Sequence, residues 1–275
     1  MTDAALTLPG VAEAEAAFRA DQARDRLRRK LLPAAGILGF LAVWALLVYV
    51  LKVPPFIAPS PFAVAERLVS DFPKLITNLG PTAIEAISGF LIGNIFAILL
   101  ATAFVHKKSL EQAFFPVVVI FNTIPVVAKA PILVLLLGNG MEPKIAIAAL
   151  ICFFPTLVNM VRGLESVNPQ AMELMRVLSA SKTEVFFKLR LQNSLPYLFS
   201  ALKIAASTAV IGAIVGEWIG STVGIGALII QAMYAFDSAL LYATVIVGSC
   251  FSVLFFLSIS LLERLVVRWQ PPTSH

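Results

Sequence analysis

Apolar runs of bilayer length recur along this chain and constrain its fold more than any other feature. They lie at 31–51, 82–105, 111–137, 143–161, 198–219 and 240–262. Since a membrane-spanning helix needs about 20 apolar residues, each run is long enough to cross a bilayer. Of the 275 residues, 59% are hydrophobic and only 13% are charged, which is far from the balance of a soluble domain. The sequence therefore predicts an all-α integral membrane protein with six transmembrane helices, and excludes a disordered, disulfide-stapled or DNA-binding chain.

Basic residues are distributed unevenly among the segments that separate these runs. With both termini in the cytosol, fifteen Lys and Arg lie in cytosolic segments and four lie outside, with Lys129 and Lys203 inside spans. Cytoplasmic loops of membrane proteins carry an excess of Lys and Arg, so this orientation in the plasma (inner) membrane is predicted. Residues 1–30 are then a cytosolic arm rather than a secretory signal, 31–265 the membrane domain, and 266–275 a cytosolic tail.

Two segments between the spans are long enough to fold outside lipid. Residues 53–81 are expected outside, are rich in proline, and contain a short amphipathic helix at Ala63–Phe72. Residues 162–197 form the longest cytosolic loop. Lys144 is counted with the outer segments, at the start of the fourth span.

The loop at 162–197 has a helix–turn–helix pattern. Ala171–Leu178 has helical spacing, and Ser181 to Glu184 is a capping box, in which the Ser181 hydroxyl and the Glu184 carboxylate each accept a backbone N–H. An apolar face follows, made of Val185, Phe186, Leu189 and Leu191. Such a face favours a groove on another protein, while periodicity alone leaves a position on the inner headgroups equally open.

Motifs for enzymatic chemistry are missing from the sequence. It has no Gly-Lys-Ser or Gly-Lys-Thr to cradle a phosphate, and Cys152 and Cys250 lie far apart in apolar runs. Nor does it have a cluster of His, Cys and carboxylate typical of a metal or nucleophile site. Gly138–Gly140 and Gly224–Gly226 are interpreted as tight outer turns. We therefore expect transport or scaffolding rather than catalysis, with no cofactor or metal in this chain.

The run Glu173–Pro196 resembles the EAA loop of ABC importer permeases, which reads Glu-Ala-Ala, then Gly, then a hydrophobic-x-Leu-Pro end. Glu173 stands at the Glu and Ser179 at the Gly. Leu174 and Met175 stand at the two Ala positions. Leu189 and Leu191 stand at the two hydrophobic positions, and Gln192 stands at the first Pro. A second Leu-Pro, Leu195-Pro196, resembles the loop of one branch of the family. This branch handles nitrate, sulfonates and taurine, and it also includes pyrimidine-precursor and riboflavin systems.

Other stretches resemble the same branch, in the same order, across 31–265. They are Pro59-Ser60-Pro61, Gly89-Phe90 with Gly93, Pro125–Ala128 with Pro131 and Gly138, Phe153–Pro155 with Asn159 and Gly163, Glu217-Trp218, Gly224–Gly226 and Leu241–Ala243. Two departures have structural consequences. Because Ser179 replaces a glycine, the turn must avoid a strongly positive φ or accept strain. Because Gln192 replaces a proline, the second short helix can run further.

The resemblance implies a type I ABC importer permease, with two copies forming the pathway. Each loop would dock on a separate ATPase subunit that carries the ATP and Mg, and an extracytoplasmic solute-binding protein would deliver the cargo. The implied solute is a nitrate-, sulfonate- or taurine-like anion or a heteroaromatic vitamin precursor. Glu173 would contact the ATPase, while Phe186 and Phe187 either fill the docking groove or pack beneath the loop. The remaining residues of the implied coupling set are Arg176, Ser179, Ala180 and Glu184.

The third apolar run carries Pro116, Pro125 and Pro131, which remove backbone hydrogen bonds that lipid cannot replace. Broken backbone at membrane depth is tolerated beside protein or a watery cavity, so this run is predicted to border the pathway. A kinked packing helix is the alternative. The predicted pathway residues are Asn122, Thr123, Pro125, Lys129 and Glu217.

Three charged residues, Lys129, Glu85 and Glu217, lie within the apolar runs. A cation at the centre of a span costs about 3 kcal/mol on insertion scales. An ion pair of Lys129 with Glu217 or Glu85 is therefore favoured slightly over contact with an anionic cargo. An alternative function is an ion-coupled secondary transporter that uses these three residues. The sequence disfavours it, because no inverted repeat is visible and such a carrier has little use for an apolar cytosolic loop.

Overall fold

The structure is a computed structural model that describes residues 9–268, with the side chains complete from residue 31 onward. Within that range every regular element is helical. In chain order these are α1 (Pro9–Val50), α2 (Pro61–Ser70), α3 (Phe72–His106), α4 (Lys108–Thr123), α5 (Val126–Leu137), α6 (Glu142–Glu165), α7 (Pro169–Val177), α8 (Lys182–Val185), a π-helical segment (Phe186–Arg190), α9 (Leu191–Glu217), α10 (Ile225–Tyr234) and α11 (Ser238–Val266). Residues 1–8 of the predicted arm and most of the predicted tail lie outside the described residues.

Five helices in the described range are long and apolar enough to cross a membrane, and the bent pair α4–α5 makes a sixth span if it is counted as one. The six predicted runs are confirmed in this sense, but their boundaries differ. Helix α3 begins at Phe72 rather than at residue 82. Pro73 lies in its first turn, where a missing N–H is no loss, so the proline that was assigned to a loop starts the helix instead.

Helix α2 is the short amphipathic helix that was predicted between the first two spans. Its N-cap is Ser60, whose hydroxyl accepts the Ala63 N–H at 3.2 Å, and Pro61 occupies the first turn. Arg67 joins this helix to the start of α11 through an ion pair with Asp237. These contacts fix α2 against the end of the bundle.

Helices α3, α6 and α9 form the centre of the bundle and approach each other through small residues. A Cβ added at Gly93 of α3 would lie 2.3 Å from the Ala149 carbonyl oxygen, and one at Gly212 of α9 would lie 2.8 Å from Ala148 Cα. Between spans in lipid the hydrophobic effect gives no net attraction, so close van der Waals packing holds the helices together. The glycines are what make that packing possible.

The outer helices are largely unburied in the single chain. The span Leu31–Val50 touches the rest mainly through Trp44, which stacks on Tyr242 of α11 with ring centroids 5.7 Å apart. Helices α4 and α5 also expose long apolar side chains such as Ile120 and Leu135. These surfaces are suited to lipid or to another apolar protein surface.

We predict that Gly93→Ala destabilises the fold by about 1–3 kcal/mol, because the new methyl group overlaps the α6 backbone. Gly80→Ala is the matched control on the same helix, since a Cβ there meets nothing within 4 Å and the change favours the helix by up to about 1 kcal/mol. The measurement is the thermal unfolding midpoint of both variants in detergent. Equal midpoints would contradict the close packing of α3 on α6.

Candidate functional site

The loop at 162–197, which we call the coupling loop after the role that its resemblance implies, contains helix α7. The start of this helix is defined by local chemistry. Asn168 is the N-cap and its side chain accepts the Gln170 N–H at 2.9 Å, while Pro169 occupies the first turn. The helix ends at Val177, and Ser179 in the turn that follows adopts a φ of +52°. A serine at the glycine position had either to avoid a positive φ or to accept strain. Ser179 adopts the left-handed conformation and therefore carries the strain.

The predicted capping box is confirmed at the start of α8. The Ser181 hydroxyl accepts the Glu184 N–H at 3.2 Å, and the Glu184 carboxylate accepts the Ser181 N–H at 3.0 Å. The backbone N–H of Ser181, and then the Lys188 ammonium, lower the pKa of Glu184 from 4.5 to about 2. The contribution of this box to stability is therefore complete above about pH 4.5 and is lost as the pH falls through about 2.

The second helix of the loop continues without a break into the apolar run that follows it. Residues Lys182–Glu217 form one continuous helical stretch of 36 residues, which includes the π-helical segment. Gln192 lies within this stretch and keeps the backbone N–H that a proline would lack. The prediction that this helix runs further is therefore confirmed. The loop is thus built into the span that follows it.

The exposed apolar face lies on a different helix from the one predicted. Phe186 is buried against Phe104 and Leu164, so for this residue the alternative of packing beneath the loop holds, whereas Phe187 is exposed. The predicted face also fails because its other members are half-buried. The large apolar side chains that the loop does expose on α7 and the following turn are Leu174, Val177 and Leu178.

The remaining residues of the coupling set occupy two sides of the loop. Glu173 is exposed on α7. Arg176 and Ala180 face a cleft between the loop and the end of α3. Helix α7 therefore presents one side to this cleft and another, more apolar side to the exterior.

The third span is broken at one proline rather than three. Helices α4 and α5 meet at an angle of 100°, with Pro125 as the N-cap of α5. Pro116 and Pro131 lie inside continuous helices. The break is therefore confined to Ile124 and Pro125, where α4 ends.

Two of the predicted pathway residues line one cavity beside this break. The cavity has a volume of about 140 Å³, and its polar lining consists of Asn122 and Lys129, with apolar walls from α6 such as Phe154. Lys129 is 9% exposed and its Nζ lies 4.8 Å from the centroid of the Phe121 ring. The Thr123 hydroxyl instead donates to the Ile120 carbonyl at 2.7 Å.

The expected ion pair of Lys129 with Glu217 or Glu85 is wrong. Among the described residues no carboxylate lies within 4 Å of the Lys129 ammonium, and it is Lys144 Nζ that reaches Glu85 Oε1, at 3.7 Å. Lys144 was assigned to an outer segment, but it is buried inside the first turns of α6. Lys144 of α6, and not Lys129, is therefore the cation beside Glu85.

Glu217, the last residue of α9, lies in a buried set of polar groups. Its Oε1 accepts the Thr82 hydroxyl at 2.6 Å and its Oε2 accepts the Gly226 N–H at 2.5 Å. The Thr82 oxygen in turn accepts the Ile225 N–H at 2.8 Å. We call Thr82, Glu85, Lys144 and Glu217 the Glu217 cluster. Glu217 does not line the cavity at the break.

The Glu217 cluster corrects the interpretation of Gly224–Gly226. These glycines are not a simple turn, because Gly224, with a φ of +112°, is the N-cap of α10. A Cβ on Gly226 would lie 2.3 Å from the Ile214 carbonyl oxygen. Glycine thus lets the start of α10 approach the Glu217 carboxylate, which accepts one of its free N–H groups. Gly138, with a φ of +86°, is the C-cap that ends α5, and the predicted position of Gly138–Gly140 on the outer side stays a prediction.

Apolar spans, one of them broken beside a cavity, are typical of a membrane-embedded transport component. Residues 93–270 match the family described as the inner membrane component of binding-protein-dependent transport systems. The chain belongs to this family.

Two relatives match almost the whole chain. The formylaminopyrimidine transport permease protein ThiX of Halalkalibacterium halodurans is 32% identical over 89% of this chain and 98% of its own length. The riboflavin transport system permease protein RibX of Chloroflexus aurantiacus is 33% identical over 89% of this chain and 93% of its own length. Both fit the branch to which the sequence motifs pointed.

A solved structure supports the fold. The inward-facing MetNI methionine ABC transporter matches with a TM-score of 0.56 and 20% identity, over 70% of this chain and 94% of the matched chain. At this identity the likeness shows that the chain shares the helical fold of that ABC transporter chain, and no more.

We predict that Thr82→Val destabilises the docking of α10 by about 1–3 kcal/mol, because the Ile225 N–H loses its acceptor while buried. Faster hydrogen exchange at residues 224–226 and a lower thermal midpoint are the measurements. Thr77→Val on the same helix is the control, since its exposed hydroxyl bonds only the Pro73 carbonyl. Unchanged exchange at 224–226 in Thr82→Val would contradict the assigned contact.

Proposed function

We propose that this chain is the membrane-spanning subunit of an ATP-driven importer, in which two copies form the pathway and a separate ATPase pair drives it. The cargo would arrive from an extracytoplasmic solute-binding protein. Family membership supports the coarse assignment, because the family is that of binding-protein-dependent systems. The identities of the partners and of the solute are the parts that we add to this assignment as a proposal.

The observation that carries the ATPase docking is the exposed side of α7. Val177 is 80% exposed, with Leu174 and Leu178 beside it, in a loop that is otherwise capped and packed. Apolar side chains held rigidly outside lipid are suited to a groove on a soluble partner. The continuous helix from Lys182 to Glu217 then gives a direct connection from that partner to the membrane core.

A second copy of this chain would cover the exposed faces of α4 and α5. These helices carry the broken span and the cavity, yet they pack on α3, α6 and α9 much less closely than those three helices pack on one another. Placing them between two copies would shield the broken backbone from lipid, as membrane proteins require. The pathway would then run beside Asn122, Thr123, Pro125 and Lys129. Glu217, predicted with them, would instead hold α9 and α10 together away from the break.

We place both termini and the coupling loop in the cytosol. The positive-inside bias supports this orientation, because the reverse would put most basic residues on the outer side. An ATPase in the cytosol then meets the loop on the same side as its nucleotide.

The ion-coupled alternative has less support. It needs Glu85, Lys129 and Glu217 to act together, but the two carboxylates lie with Lys144 while Lys129 lines a separate cavity. The family to which the chain belongs is that of binding-protein-dependent systems.

For the solute we propose a small heteroaromatic vitamin precursor, with a nitrate-, sulfonate- or taurine-like anion as the second candidate. The two relatives named for a formylaminopyrimidine and riboflavin support the first class. The lone cation in the cavity supports the second. Uptake of labelled formylaminopyrimidine, riboflavin and taurine by cells that express the complete system separates the two.

We predict that Val177→Glu weakens co-purification with the ATPase about tenfold or more, because a charge replaces an apolar contact at the centre of the docking face. Glu173→Lys should likewise leave insertion and pairing of the permease intact while abolishing ATP-driven uptake. Both effects are measured by pull-down from membranes and by uptake in proteoliposomes.

Val69→Glu is the matched control for this docking test. Val69 on α2 is 79% exposed, so it carries the same substitution at the same exposure but away from the loop. Equal ATPase recovery from Val69→Glu and Val177→Glu would contradict a docking role for α7.

We predict that Lys129→Met changes the uptake kinetics without lowering the thermal midpoint, because it removes a cavity-lining cation that has no ion-pair partner among the described residues. Lys74→Met is the control on the exposed start of α3. Identical KM and maximal uptake rate in wild type and Lys129→Met would exclude Lys129 from the pathway.

A further inference from the structure

A second cavity, larger than the one at the broken span, lies between the coupling loop and the end of α3. This basic cleft has a volume of about 420 Å³, and its polar lining is cationic or imidazole: His106, Arg176, Lys182 and Arg190. Its other walls are apolar side chains such as Met172 and Phe186. No acidic side chain of the described residues lines it.

No carboxylate of residues 31–268 neutralises the cations of the cleft. Among residues 31–268, no carboxylate lies within 4 Å of the charged groups of Arg176, Lys182 or Arg190, whereas the neighbouring Lys188 is paired with Glu184 at 3.1 Å. The only side-chain hydrogen bond of these three within that range is from Arg190 Nη1 to the Leu164 carbonyl, at 3.3 Å. Three uncompensated cations around one cavity favour an anionic occupant.

The depth of the cleft identifies the kind of anion. His106 is the last residue of α3, a membrane-spanning helix, and its ring lies 5.0 Å from that of Phe186. Because the apolar run of this span ends at residue 105 and Lys107 and Lys108 follow it, we expect the cleft at the level of the lipid headgroups. A lipid phosphate held there carries acyl chains with it, which suit the apolar walls.

The cleft faces away from the side of α7 proposed to dock on the ATPase. Met172 and Arg176 lie one turn apart on the cleft side, while Leu174, Val177 and Leu178 lie on the opposite side of the same helix. An ATPase seated on the apolar side would leave the basic side free. The occupant is therefore not the docked protein.

We propose that the basic cleft binds the phosphate group of an anionic phospholipid, held by Arg176, Lys182 and Arg190 between the coupling loop and the end of α3. The lipid braces the loop against the membrane from the side opposite the docking face. The exclusion of the ATPase as the occupant rests on the proposed docking through α7. Lipid binding itself needs only the chain and its bilayer, so it is tested without an ATPase and can fail or hold separately from ATPase docking.

The experiment uses the full chain purified from membranes and equilibrated with equal amounts of phosphatidylglycerol and phosphatidylcholine. The lipid retained is then identified by native mass spectrometry. We expect preferential retention of phosphatidylglycerol, and a fall in that preference of about fivefold for each cation removed in Arg176→Gln and Lys182→Gln. Neither side chain makes a hydrogen bond or ion pair to the rest of residues 31–268, so the variants should fold, and their thermal midpoints check this.

Lys188→Gln is the matched control, because Lys188 is exposed on the same loop but does not line the cleft. A second arm adds millimolar inorganic phosphate, which should not displace the lipid. Equal retention of both lipids by the wild type, an equal loss in Lys188→Gln, or displacement by inorganic phosphate would each overturn the proposal. Unchanged lipid retention together with lost ATPase recovery in Arg176→Gln would assign the cleft to the protein partner instead.

Discussion

Close contact between the backbones of α3, α6 and α9 sets the geometry of the whole protein. Without water, the spans gain little from covering apolar side chains, so their association depends on van der Waals packing at short range. Gly89, Gly93 and Gly212 leave no room for a side chain at these crossings. The same contact brings charged groups from three helices together, because Glu85, Lys144 and Glu217 can meet only if the helices that carry them touch. The Glu217 cluster is a consequence of the glycine packing.

One helical stretch links this centre to the coupling loop. The residues from Lys182 to Glu217 span about 54 Å at 1.5 Å per residue, with the capping box at one end and the Glu217 carboxylate at the other. A displacement applied to the loop therefore reaches the N–H groups of α10 through a continuous helix rather than through a flexible linker. The broken span lies outside this rigid centre, and this is where a pathway that must open and close is expected.

Much of the fold could be predicted from the sequence because apolar runs of bilayer length have few alternative structures. The capping box was also predictable, since it depends on residues three apart in one turn. The partner of Glu85 was not, because Lys129 and Lys144 both lie in or beside apolar runs and only the packing of α6 on α3 selects Lys144. The exposed face on α7 was missed for a similar reason: whether Phe186 points outward or inward depends on Phe104, which is distant in sequence. Likewise, nothing local to Gly224–Gly226 indicates the carboxylate that binds there.

We propose that this chain forms a pathway but cannot drive transport without an ATPase bound to its loop. The most direct measurement compares solute accumulation in proteoliposomes that contain this chain alone with accumulation in liposomes that also contain the ATPase subunit, the binding protein and ATP. We expect accumulation against a gradient only in the complete system, and none when Val177→Glu replaces the wild-type chain. Uphill accumulation by the chain alone, driven by a proton or sodium gradient, would contradict the claim.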